Sequence, residues 1–208
     1  SYIHSILKQV KIKVMSDYIK NGKEIFNDVF SDNNVFEPVL KWGEYIMTEE
    51  FGKSKNVGKD YYKDCEKAKL ILTQPLKVRK KYNKGSFVYG YILNNKQFIY
   101  GGQCSGTNRI NAPSSVGGFI KNTNKPKIPS ERHGKTNVKL FFEVNELLRK
   151  GNKIEIFIIK AKENAKIGKW IVKIDEKQME KEILSQYELV HNEQPMLNNN
   201  NSEKHYKF

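Results

Sequence analysis

The sequence predicts an α+β protein: a small antiparallel sheet flanked by helices, preceded by a mostly helical N-terminal region. Three observations carry this expectation. Apolar residues recur at helical spacing through the first part of the chain. Between Val88 and Gly102 the period changes to two, in two tyrosine-rich runs on either side of Asn94 and Asn95. Beyond Val138, helix-like and strand-like stretches alternate as far as Asn198.

The elements follow in order. Ile3, Ile6, Leu7, Val10 and Val14 lie on one helical face, and Tyr18, Ile25, Val29 and Phe30 continue it up to Ser31. Second and third helices are expected over 37–50 and 61–72, and Gln74-Pro75 stops the last of these. Gly52 and Gly58 sit in a loop without the spacing or strand context of a phosphate-binding loop. Lys77 to Gly85 reads as a basic linker. Ser86–Leu93 and Phe98–Gly102 form a hairpin across the Asn-rich turn. Leu140, Phe141, Val144, Leu147 and Leu148 make an amphipathic helix over 138–150, ended by Gly151. Lys153–Ala161 is a strand, Trp170–Ile174 a short further one, and Asp175–Val190 a helix with Met179, Ile183 and Tyr187 in register. Trp42 and Trp170 are assigned to the core. The expected division is a helical region over 1–83, a second unit over 84–198 with a basic insertion at 103–137, and a disordered tail over 199–208.

Charge narrows the partners. Lys and Arg number 37 against 23 acids, a net charge of +14. Such a balance favours polyanions, although Lys- and Asn-rich composition also arises without selection for binding. The distribution points further. Lys96, Arg109, Lys121, Lys125, Lys127, Arg132, Lys135 and Lys139 stand against the single acid Glu131 in one Gly-, Asn- and Pro-rich stretch. A long basic loop suits phosphate contact. Cys65 and Cys104 have no metal-ligand spacing and are expected to be independent thiols. No apolar run approaches the roughly 20 residues of a membrane span, and the N-terminus carries no signal pattern. The expectation is a soluble, cytoplasmic protein with no membrane partner.

The residues after the linker resemble the GIY-YIG nuclease superfamily. Val88-Tyr89-Gly90 stands at the first signature and Ile99-Tyr100-Gly101-Gly102 at the second. Arg109, a helix ending at Gly151, the strand over 154–159, the helix over 175–190 and Pro195-Met196-Leu197-Asn198 follow in the family's order. The resemblance covers residues 85–198 and implies a DNA endonuclease that uses Mg²⁺ or Mn²⁺. Among family uses it is most similar to a type II restriction endonuclease of a restriction-modification system, acting on double-stranded DNA as a homodimer. A phage or mobile-element nuclease is the near alternative.

The resemblance implies roles for particular residues. Tyr89 would serve as the base for water, with Tyr91, on the same strand face, as the other candidate. Tyr100 would orient the phosphate, and Arg109 would stabilise its charge. A carboxylate on the last helix would hold the metal, and Asn198 would brace the site. Lys121, Lys125, Lys127, Arg132, His133 and Lys135 would contact DNA. Arg132 is also a rival to Arg109, because some members insert a loop before their catalytic Arg.

The chain departs from the pattern in three ways. The two signature tyrosines are one residue further apart than is common, Gln103 replaces a frequent Lys, and Gln186 stands where members carry the metal-binding Glu. A neutral amide is a poor ligand for a hard divalent cation. Three readings of Gln186 stand. Glu182, one turn earlier, takes the role; the residue is an engineered Glu-to-Gln change that leaves an inactive form; or cleavage was lost and binding kept. The plainer readings are strand tyrosines chosen for propensity, a solvated Arg109 and a solvated charged face at Glu182. Rivals from another class are a non-cleaving DNA-binding protein on the same fold and a basic RNA-binding protein.

Overall fold

A computed structural model describes residues 22–48, 67–106, 110 and 135–198. Its centre is one antiparallel sheet of five strands: β1 (Leu40–Thr48), β2 (Lys67–Leu72), β3 (Phe87–Leu93), β4 (Gln97–Cys104) and β5 (Ile154–Lys160), in the order β2-β1-β5-β3-β4. The helices are α1 (Gly22–Val29), α2 (Leu76–Lys81), α3 (Lys135–Arg149) and α4 (Glu176–His191). A separate hairpin, β6 (Lys166–Ile167) and β7 (Trp170–Ile171), follows β5. Among the described residues, no helix is long and apolar enough to cross a membrane.

The expected sheet flanked by helices is present, but its N-terminal part differs. Residues 40–48, expected as helix, are strand β1, and residues 67–72 are strand β2. β1 pairs with β5 from Leu40↔Ile158 to Tyr45↔Ile154. The boundary expected at residue 83 therefore does not separate two units, because residues on both sides of it share one sheet. The misreading has a physical cause. The β1–β5 register slips between Lys41 and Gly43. A bulge of this kind shifts the phase of the alternation, so the buried Trp42 and Tyr45 fall three residues apart and imitate a helical face. The basic linker also contains a helix, the six-residue α2 after Pro75. Residues 1–21, 49–66 and 199–208 lie outside the described residues.

The central strand β5 explains the core. All seven residues of Ile154-Glu-Ile-Phe-Ile-Ile-Lys160 are buried, as expected of a strand covered on both faces. Ile154, Ile156 and Ile158 join Trp42, Tyr45, Tyr91, Leu140, Val144 and Leu148 on one face. Phe157 and Ile159 join Val88, Ile92, Phe98, Met179, Ile183 and Tyr187 on the other. Thus α3 packs on β1 and β2 on the first face, and α4 on β3 and β4 on the second. The buried Glu155 is paired with Lys41 at 2.6 Å and Lys153 at 3.3 Å. Burial raises the pKa of its carboxyl, but these two lysines outweigh that and hold it below the ordinary value.

Local chemistry sets the ends of the elements. Asn94 and Asn95 take φ of 53° and 59°, left-handed values that Asn tolerates, and the Lys96 N–H closes the turn on Leu93 O at 3.0 Å. At α3, Gly151 adopts φ 80°, and the N–H groups of Gly151 and Asn152 donate to Leu148 and Leu147. That is the glycine stop expected from sequence. Asp175 caps α4, accepting from the Gln178 N–H at 2.7 Å. Trp42 is fully buried, whereas Trp170, also assigned to the core, is 69% exposed.

Candidate functional site

The tyrosines of the two signatures come together. β3 alternates, so Tyr89 and Tyr91 share a face, and on β4 Tyr100 lies directly opposite Tyr91. The register slips between Tyr91 and Ile92, so that Ile92 faces Phe98 and Ile99 is the extra residue. The additional residue between the signature tyrosines is therefore held in strand β4. Ring centroids are 6.0 Å apart for Tyr89–Tyr100, 5.1 Å for Tyr91–Tyr100 and 6.0 Å for Tyr89–Tyr91.

A fourth member, Tyr45 of β1, was missed from sequence because its strand was read as helix. Its ring centroid is 5.4 Å from that of Tyr91, and their phenol oxygens are 3.0 Å apart. Tyr91 and Tyr45 are buried, while Tyr89 is half-buried. This separates the two candidates for the base. The Tyr91 hydroxyl is held in a buried hydrogen bond with Tyr45, and of the two residues Tyr89 is the more exposed.

Glycine shapes the space around Tyr89. Gly102 lies opposite Tyr89 on β4. A Cβ there would stand 2.5 Å from Tyr89 Cζ, 2.6 Å from its Oη and 3.0 Å from Tyr100 Cε1. Only a residue without a side chain lets the phenol lie across the strand. The outer edge of β4 is closed by residues 197 and 198. The Leu197 N–H donates to Ile99 O at 2.8 Å. Asn198 Oδ1 accepts from the Gly101 N–H at 2.7 Å, and its Nδ2 donates to Gly101 O at 2.8 Å. The Asn198 amide thus pairs like one more strand residue, between Tyr100 and Gly102, and covers an edge that would otherwise be open.

The electrostatics favour the neutral phenol. Burial, then the Tyr100 phenol, which is also hydrogen-bonded to it, and then Tyr91 and Cys104 push Tyr89 well above the ordinary tyrosine range. Burial and then Tyr45 do the same to Tyr91. In this state Tyr89 is a hydrogen-bond donor; to act as a base it needs a cation beside it. The shifts carry a stability consequence. Above about pH 10 the unfolded chain releases phenolic protons that the fold retains. Stability is therefore expected to be complete below that pH and to fall as pH rises, with Tyr187, pushed up to about 12, and the buried tyrosines Tyr89 and Tyr91 contributing. Urea unfolding on either side of pH 10 checks this, and a Tyr45→Phe/Tyr91→Phe variant should lose less stability at high pH.

The remaining candidates are placed as follows. Glu182 and Gln186 are on α4, where Gln186 Nε2 donates to Glu182 Oε1 at 3.0 Å. α4 packs on the sheet face opposite the tyrosines, so the structure does not bring this pair to Tyr89. One exposed carboxylate and one neutral amide on the far face do not fit a divalent ion held beside the phenols. Among the described residues no group of three or more His, Cys, Asp or Glu side chains is arranged to hold a metal. Arg109, Lys121, Lys125, Lys127, Arg132 and His133 lie outside the described residues, and of Lys135 only the backbone, at the start of α3, is described.

Sequence reasoning also passed over Lys160, buried at the end of β5. Its Nζ lies 5.6 Å from the Tyr82 ring centroid and 5.8 Å from that of Phe87, with Glu163 at 3.9 Å. A lysine ending an otherwise apolar strand was the available signal. No protein-family model, no curated protein and no solved structure matches this chain.

Proposed function

We propose that this protein is an endonuclease that binds double-stranded DNA and hydrolyses phosphodiester bonds at the Tyr89–Tyr100 face, in the manner of a GIY-YIG restriction enzyme. The observation that carries the reading is the gathering of both signature tyrosines over Gly102, on a strand clamped by Asn198. The Tyr89 phenol lies beside the scissile phosphate, and Tyr100, hydrogen-bonded to it, holds its orientation. Hydrolysis adds water oxygen to phosphorus and releases the sugar oxygen, which leaves with a proton. For Tyr89 to take the water proton, a cation must lower its pKa, and Arg109 is the residue the resemblance assigns there. The resemblance implies Mg²⁺ or Mn²⁺, but Glu182 and Gln186 do not fit such an ion beside the tyrosines, and no step above runs through a metal. A homodimer would supply the two sites needed to cut both strands.

A second reading is favoured by the placement of Glu182 and Gln186: a protein on this fold that binds DNA without cutting it, since the helix expected to carry the metal ligand packs on the face opposite the tyrosines. Supercoiled plasmid with Mg²⁺ or Mn²⁺, treated with this chain and with Gln186→Glu, separates the two. Cleavage at discrete positions by both chains supports the nuclease reading without a role for residue 186. Cleavage by the Glu variant alone assigns the lost step to that position. Tight binding with no cleavage by either replaces the nuclease reading with the second one.

A further inference from the structure

The β6–β7 hairpin presents an unusual surface. Ile167 pairs with Trp170, and Lys166 with Ile171, across a turn in which Gly168 takes φ 60°. Ile167 is 56% exposed, Trp170 69% and Ile171 70%. Scattered exposed apolar residues need no explanation, but three large ones at one tip mark a contact surface. The exposed Lys166, Lys169 and Lys173 stand around them. From Lys160 to Ile174 the chain carries five lysines (160, 162, 166, 169 and 173) and one acid, Glu163.

The hairpin is firmly rooted and follows the end of β5 that is registered with Phe87. The Lys166 N–H donates to Asn34 O, and that of Val172 to Ala165 O, and Ala165 is fully buried. The hairpin follows β5 at its Lys160 end. There Lys160 is registered with Phe87, and Phe87 with Cys104. Tyr89 is the next residue on the Phe87 face, and Gly102 lies opposite it. The hairpin therefore springs from the end of the sheet nearest Tyr89.

We propose that this hairpin is a nucleic-acid contact, in which Trp170, flanked by Ile167 and Ile171, packs on a base or sugar face while Lys166, Lys169 and Lys173 hold phosphates. The chemistry is complementary: an aromatic platform accepts any base, and lysines on both sides of it track a backbone. The proposal rests on the reading of the chain as DNA-acting, and names the surface that would grip the strand beside the cut.

Tryptophan fluorescence tests it directly. The chain has two tryptophans, and Trp42 is fully buried, so acrylamide quenching reports Trp170. Saturation with a short duplex or single strand should protect Trp170. Trp170→Ala should weaken DNA binding roughly 5- to 100-fold without changing Tm, and Lys169→Ala should reduce the salt dependence of binding by about one ion. Unchanged quenching under saturating DNA, or wild-type affinity in Trp170→Ala, overturns the proposal. So does a Trp170 emission shift with phosphatidylserine vesicles but no protection by DNA, which assigns the hairpin to a lipid surface. A chain that cuts DNA while Trp170 stays quenchable keeps the nuclease reading and loses this one; a chain that protects Trp170 and never cuts does the reverse.

Discussion

Tyr89→Phe is expected to bind DNA and to cleave it about 10²- to 10⁴-fold more slowly, the usual contribution of a positioned proton-transfer group. The ring stays, so packing against Tyr91 and Tyr100 stays, and the hydroxyl is lost together with its hydrogen bond to Tyr100. Tyr91→Phe is the matched control. It removes the buried hydrogen bond to Tyr45, a loss of about 1 kcal/mol of stability, and should leave the cleavage rate unchanged. Gly102→Ala should mimic the loss at Tyr89 by a different route, because its Cβ would occupy space 2.5 Å from Tyr89 Cζ. Rates of plasmid nicking and gel-shift affinities, measured on the same preparations, separate the cleavage effect from binding.

The largest effect on stability is expected at Trp42. Trp42→Ala should cost about 3–5 kcal/mol, because the side chain is fully buried in β1, in the core shared with β5 and α3. Trp42→Phe should be far milder. Nε1 of Trp42 is buried without a hydrogen-bond partner, so the smaller ring discards an unsatisfied donor along with some volume. Urea unfolding gives both values. The size of the Ala effect also tests the five-stranded sheet. Were residues 1–83 a separate helical region, the loss would leave the unit over 84–198 standing, and unfolding would occur in two steps.

Much of the C-terminal part was legible because local signals agreed there. The alternation around Tyr89, the Asn94-Asn95 turn, the Gly151 stop and the apolar run of β5 each have a single physical meaning. The N-terminal strands were not legible. The bulge at Trp42 broke the period of β1, and β2 is short, with Ala68, Leu70 and Leu72 packed in the core and Ile71 exposed. Spacing did place Tyr89, Tyr91 and Tyr100 on one face. It did not place Tyr45, which depends on a long-range strand pairing. Nor could it say which sheet face α4 covers: the periodicity of Met179, Ile183 and Tyr187 identifies the apolar side of the helix, not the surface it meets. For that reason the separation of Glu182 and Gln186 from the tyrosines is visible only in three dimensions.

The central claim is that a phosphodiester sits against Tyr89 and Tyr100. Fluorine NMR of protein labelled with fluorotyrosine tests it most directly, with the resonances of the eleven tyrosines assigned from single Tyr→Phe variants. On addition of a short DNA duplex, the Tyr89 and Tyr100 signals should move while the buried Tyr45 signal holds its position. Saturating DNA that leaves both Tyr89 and Tyr100 unmoved, while tyrosines elsewhere shift, would contradict the account.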